Sequence, residues 1–287
     1  MIYRRRASPL HSARAGAGGA YCLALAIAAL LVSHPIVLAG VALAVLGAGV
    51  AAGVGRELRR ATLFALPVAV AIAAINALVT RNGLTVIVRL GDLPILGHTD
   101  ITLEATAYGG ILALRAVTLI LCGVLYTVAV DPDEVLRLFR RVSFRSALSA
   151  ALATRLVPVL IRDAGRLADA QRCRPGPPPS RLALMRAASS GVLDRALDVA
   201  AALEVRGYGA ARRPPSGHAP YSRHDLAFGA SSLAVVALAV VARFSGLAAF
   251  GAYPTLRAAD GAGVIALSAG LLLCALLPFA DHRGLRS

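Results

Sequence analysis

Apolar stretches alternate with short arginine-bearing connectors along this chain, and one connector is far longer than the rest. Six stretches stand out, over residues 18–32, 36–54, 61–79, 103–130, 226–242 and 263–280. About 20 mostly apolar residues, within a range of roughly 17–25, carry a helix across the hydrocarbon layer, so six membrane spans are predicted. His34-Pro35 separate the first span, the shortest, from the second. Arg4-Arg5-Arg6 ahead of an apolar run is also how a secretory signal begins. No small-residue cleavage site follows, however, and a second apolar run comes at once. In the second span, Gly49 and Gly53 form a small-xxx-small pair suited to close helix packing.

The long connector, residues 131–225, has a different texture: 16 arginines against nine acids. Asp131-Pro132-Asp133-Glu134 is a helix-start signal, with Asp131 as N-cap, Pro132 at the first helical position and Glu134 three residues after the cap. A longer helix is predicted over 146–174. In it Leu156, Leu160, Ala164 and Leu167 share one face, Arg155, Arg162, Arg166 and Asp169 lie on another, and Pro158 sits inside. The run Pro175-Gly176-Pro177-Pro178-Pro179 must stop it. A second helix is predicted over 180–206, striped by Met185, Ala188, Val192, Ala196, Val199 and Leu203, with Gly207 and Gly209 as its stop. Both helices therefore end on an arginine next to a terminator, Arg174 and Arg206. A cation is favoured there by the unpaired carbonyls of the helix end, and a guanidinium also offers a rigid fork to carboxylates or helix ends of another protein. Two such ends suit a two-lobed partner.

Composition sharpens the picture. Hydrophobic residues make up 57%, charged residues 16%, and the mean hydropathy is +0.71. The 30 basic residues are all arginine. Without lysine there is no P-loop to cradle nucleotide phosphates and no Schiff-base amine. The net charge of +15 points to nucleic acid or to an anionic membrane surface, and the apolar runs favour the membrane. With six spans, 25 arginines fall on the side shared by both chain ends, and only Arg81, Arg89, Arg243 and Arg257 fall on the other. The positive-inside rule then puts both termini in the cytoplasm of a multi-pass plasma-membrane protein. Arg115 lies within the fourth span and reads in two ways: as a contact to a neighbouring subunit or polar seam, or as a snorkelling group or partner of Glu104. Cys22, Cys122, Cys173 and Cys274 form no C-x-x-C pair, and no metal or cofactor site is predicted. Asp92, His98 and Asp100, between the third and fourth spans, read as a solvated loop before they read as metal ligands.

Particular residues of the connector resemble a known family. Ala170-Gln171-Arg172-Cys173-Arg174 and Ala202-Leu203-Glu204-Val205-Arg206-Gly207-Tyr208-Gly209 are similar to the two arginine motifs of the transmembrane T component of energy-coupling-factor (ECF) transporters, the CbiQ/EcfT-like family. Their usual forms are close to A-Q-R-A-R-G and A-L-E-A-R-G-Y-G. Thr127 to Leu138, with Asp131-Pro132-Asp133-Glu134-Val135-Leu136 in it, looks like that family's entry to its coupling helices, and Arg155-Leu156-Val157-Pro158 like its R-F-x-P signature. The first motif departs from the family at Cys173 and Pro175 and the second at Val205, and neither departure touches the arginine.

The resemblance implies an all-α polytopic membrane protein with a cytoplasmic coupling-helix region between the fourth and fifth spans. The expected divisions are residues 1–130, 131–225 and 226–287. It also implies a non-catalytic subunit joining two ABC ATPases to a membrane-embedded, substrate-binding S component for vitamin or transition-metal uptake. Arg174 and Arg206 would each dock in one ATPase, flanked by Cys173, Glu204, Val205 and Gly207. A self-contained secondary transporter is the alternative; it calls for polar midplane residues and matched broken helices, and the spans offer only Arg115 and Asn76. An intramembrane enzyme would need paired carboxylates or a histidine cluster, and the six histidines are scattered. Nucleic-acid binding lacks any motif or interleaved aromatics.

Overall fold

The computed structural model describes residues 6, 8–80, 85–93, 97–139, 144–173, 181–207, 222–251, 257–258 and 261–281. The chain divides into two compact units, Met1–Val135 with Tyr221–Ser287, and Leu136–Pro220.

The first unit is a helix bundle. After a short turn of helix α1 (Pro9–Ser12) come α2 (Ala15–Leu31), α3 (Pro35–Ala51) and α4 (Gly55–Val79). A hairpin of β1 (Val86–Leu93) and β2 (Gly97–Thr102) leads to α5 (Leu103–Ala129) and then α6 (Pro132–Phe139). The bundle resumes with α9 (Arg223–Ser245), the short pair β3 (Phe250–Gly251) and β4 (Arg257–Ala258), and α10 (Ala262–Leu276), which tightens into a 3₁₀ turn at Leu277–Phe279. Six apolar helices thus stand where six spans are predicted, and the protein is an all-α polytopic membrane protein. Gly55–Val79, Leu103–Ala129, Arg223–Ser245 and Ala262–Phe279 are long and apolar enough to cross a bilayer, while α2 and α3 are shorter, at 17 residues each.

Local chemistry sets the helix ends. Pro35 occupies the first turn of α3, where its missing N–H costs nothing. Ser222 and Asp225 close a capping box on α9, and Gly246, at φ +73°, ends that helix in the left-handed conformation. Gly53 proves to be another such position. It lies beyond the last residue of α3 at φ +74°, so it shapes the α3–α4 turn and does not pair with Gly49 in a helix-packing face. The expected loop before α5 is a hairpin in which Asp92 stands opposite His98 and Arg89 opposite Asp100. The β-branched run Val86-Ile87-Val88 accounts for the extended backbone.

Within the bundle α2 packs on α9, α3 on α10 and α4 on α5, and α2 and α3 each also touch α5. Tyr21, Phe228 and Phe279 meet edge to face, with ring centroids 5.2–6.1 Å apart. The Tyr21 hydroxyl donates to the Ala275 carbonyl (2.8 Å), and the Ser231 hydroxyl to the Cys274 carbonyl (2.7 Å). Such bonds let polar side chains sit among apolar ones by satisfying backbone oxygens. Arg115 follows the same logic. Its Nη2 donates to the Val32 carbonyl (3.0 Å) and the Ser33 hydroxyl (3.3 Å), covering the carbonyl end of α2. Glu104, one of the partners considered for it, instead accepts from the Thr85 amide (3.2 Å). Eleven residues of helix place Glu104 about 16 Å from Arg115 along α5.

α4 and α5 lie against each other at Gly109, where an added Cβ would lie 2.9 Å from the Ala73 carbonyl oxygen and 3.0 Å from Asn76 Cβ. Its neighbour Gly110 has nothing within 4 Å. Thermal unfolding followed by circular dichroism in detergent should separate the two. Gly109→Ala is expected to destabilise by about 1–3 kcal/mol through overpacking, and Gly110→Ala to leave the midpoint unchanged or slightly raised. Equal midpoints would contradict the packing.

Candidate functional site

The second unit, considered by itself, contains α7 (Phe144–Arg172) and α8 (Arg181–Val205). Both are rich in alanine, leucine and arginine, the strong helix formers, and α7 runs through Pro158 without dividing. Arg195 Nη1 of α8 lies 2.6 Å from Asp163 Oδ2 of α7, and Arg166 lies 3.9 Å from the other carboxylate oxygen. The hydrogen bond from Arg195 holds the Asp163 carboxyl below its ordinary value of 3.8 against the opposing effect of burial, with the positive charges of Arg195, Arg166 and Arg162 adding to it. A depressed carboxylate contributes its stabilisation above the ordinary value and loses it only as pH falls through the lower folded value. The pair is therefore intact throughout the neutral range. Because it is partly exposed, it orients the helices more than it stabilises them.

The two helices cover each other incompletely. Leu156, Leu160 and Leu167 on α7 are half-buried, as are Ala188, Val199 and Leu203 on α8. Ala164 and Ala196 are exposed, and so is Met185, so the expected apolar faces are only in part turned inward. Val157, Ile161, Met185, Leu193, Leu197 and Val205 are each at least half exposed. A continuous stripe in sequence does not fix how much of it a single neighbour can cover.

Of the six residues singled out in the sequence, five are described. Arg174 lies outside the described residues. Cys173, one residue earlier, is an exposed free thiol in the turn after α7, and its amide donates to the Asp169 carbonyl (3.2 Å). At the end of α8 the Arg206 amide donates to the Ala202 carbonyl (3.3 Å), and the Gly207 amide to the Glu204 carbonyl (2.8 Å). Gly207 adopts φ +68° with open space where a Cβ would be, the conformation that ends a helix abruptly at little cost only when the residue is glycine. The result is a bare tip. Glu204, Arg206 and Gly207 are exposed there, and Val205 is 89% exposed, unusual for a β-branched hydrophobe.

A second feature was not foreseen from the sequence. It lies within the first unit, at the two points where the chain leaves and rejoins it. Asp131 caps α6 as expected, accepting from the Asp133 amide (2.9 Å). Glu134, expected to complete that helix start, reaches instead to α2, where its Oε2 accepts from the Ala15 amide (3.0 Å). Asp225, at the start of α9, accepts from the Arg14 amide (2.7 Å) and from the Ser222 amide (2.8 Å), and lies 3.4 Å from Arg14 Nε. Two carboxylates from distant parts of the sequence thus occupy the N-terminus of one helix, where unpaired N–H groups and the helix dipole favour negative charge. The Ser222–Asp225 capping box is visible in the sequence; its second attachment to Arg14 is a tertiary contact and leaves no sequence signal. Among the described residues, no group of three or more His, Cys, Asp or Glu is placed to hold a metal ion.

The family model for CbiQ, described as cobalt transport protein, matches residues 6–216. The match spans well over half of the chain, which belongs to this family and is a multi-pass membrane component of the transport type. A comparison with curated proteins finds no match.

Asp225 is nearly fully buried, so its removal takes the acceptor from the Arg14 and Ser222 amides. Asp225→Ala is expected to cost about 1.5–3 kcal/mol, and Glu134→Gln, which keeps an acceptor, less than about 1 kcal/mol. Hydrogen exchange should report both as faster exchange of the amides of residues 14 and 15. Unchanged protection in Asp225→Ala would contradict the arrangement.

Proposed function

We propose that this chain is the membrane-embedded coupling subunit, the T component, of an energy-coupling-factor importer. Two cytoplasmic ABC ATPases would grip the tips of α7 and α8, one at Arg174 and the other at Arg206. The chain would pass the movement driven by ATP to a separate substrate-binding S component, and both of its termini would face the cytoplasm. The family's description makes a transition-metal ion, cobalt first, the best-supported cargo. The choice between a metal and a vitamin belongs to the S component, since the substrate pocket is carried there.

The observation that carries this reading is the exposed end of α8. Gly207 ends the helix in the left-handed conformation, leaving Arg206 and Val205 uncovered side by side. A guanidinium beside an apolar side chain suits a groove that is acidic at its floor and apolar at its rim. The exposed apolar residues of α7 and α8 supply further surface for a partner. Energy must come from that partner, because a chain without lysine has no P-loop. On this reading Glu134 and Asp225 anchor the chain where it enters and leaves the moving region, so displacement of α7 and α8 would pull on α2. A self-contained transporter gains no support from Arg115 and Asn76. Arg115 is occupied in capping α2, and the Asn76 amide group donates to the Ile72 carbonyl of its own helix (2.9 Å).

The test is co-purification of the ATPases through a tag on this chain. Arg174→Glu with Arg206→Glu should abolish it, and each single substitution should reduce it in part. Wild-type recovery with the double variant would overturn the docking role.

A further inference from the structure

A cavity of about 710 Å³ opens between the N-terminal arm and the turn joining α3 to α4. Its charged lining is Arg6, Arg56, Glu57 and Arg60, three cations against one carboxylate. Arg6 is already engaged, donating to the Gly53 carbonyl and to Glu57 Oε1. That pair braces one wall, while the other Glu57 carboxylate oxygen makes no hydrogen bond and its charge is felt by Arg60. Arg56 and Arg60 are exposed, and neither makes a hydrogen bond or ion pair among the described residues. The cavity also meets the first turn of α4, which has no side-chain cap. The guanidinium groups of Arg56 and Arg60 and the N-terminal end of α4, whose first turn also carries Glu57, converge there. The chemistry that satisfies them is a phosphate.

What lies beyond the cavity decides which phosphate. Arg56, Arg60, Leu63, Phe64 and Pro67 follow each other at the spacing of one helix face. Leu63 is 63% exposed and Phe64 80%, whereas Leu58, Ala61 and Ala65 turn into the bundle. A cationic recess thus continues directly into an uncovered apolar track along a membrane-spanning helix. A soluble phosphate would use only the recess. A lipid uses both.

We propose that this recess holds the phosphate headgroup of an anionic phospholipid, with its acyl chains along the exposed face of α4. Arg56 and Arg60 are the binding residues, and Arg6 with Glu57 forms the supporting wall. The site owes nothing to the coupling role proposed above and stands or falls separately.

The experiment is native mass spectrometry of the full-length chain released from micelles containing phosphatidylglycerol or phosphatidylcholine. Wild-type protein should retain phosphatidylglycerol in preference to phosphatidylcholine. Arg56→Gln and Arg60→Gln should each weaken retention roughly 5-fold and the double variant roughly 25-fold, the scale expected for one surface arginine against an anionic lipid. Arg243→Gln, near the end of α9, should behave as wild type. Glycerol phosphate at millimolar concentration should not displace the lipid. Should the double variant misfold, the single variants and the thermal stabilisation of wild-type protein by phosphatidylglycerol over phosphatidylcholine carry the test. Equal retention of the two lipids, or full retention by the arginine variants, would overturn the proposal. Displacement by glycerol phosphate would overturn the lipid assignment in favour of a soluble anion.

Discussion

Two carboxylates on the N-terminus of α2 are the interaction on which the arrangement depends. Glu134 closes the part of the chain that leaves the bundle, and Asp225 closes the part that rejoins it. Both end on neighbouring amides of a single helix, Arg14 and Ala15. Backbone N–H groups at a helix start must be satisfied somewhere, and a carboxylate is their strongest acceptor. These two groups bring the starts of α2, α6 and α9 together.

The bundle itself is consistent with a scaffold. Several polar side chains within it bond its own backbone: Tyr21 to Ala275, Ser231 to Cys274, Asn76 to Ile72, Arg115 to Val32. Each bond satisfies a group that would be costly to leave bare in hydrocarbon. The second unit shows the opposite economy, with large apolar side chains and a helix tip left uncovered.

Much of this was legible from residue order alone. Long apolar runs do not admit another conformation at membrane depth, and Asp131-Pro132, Pro35 and Gly207 act locally, so the helices and most of their ends follow from sequence. The misses share a cause. Gly53 fits a helix-packing spacing until the helix is seen to end at Ala51, and Glu134 fits a local capping box until α2 is seen beside it. The β-branched run at Val86 favours the β1–β2 hairpin, whereas the polar residues Asp92, His98 and Asp100 suit a loop equally well. Arg115 had several candidate partners in the sequence, and only packing could choose the end of α2. The arginine motifs were legible as motifs; the bare tip at Val205 and Arg206 was not, because exposure belongs to the fold.

The central claim is that this chain transmits work and performs none of its own. The direct measurement is cobalt uptake into proteoliposomes containing the purified chain, alone or together with its ATPases and substrate-binding subunit. Uptake that requires both companions and hydrolysable ATP is the predicted result. Uptake by the chain on its own would contradict the account.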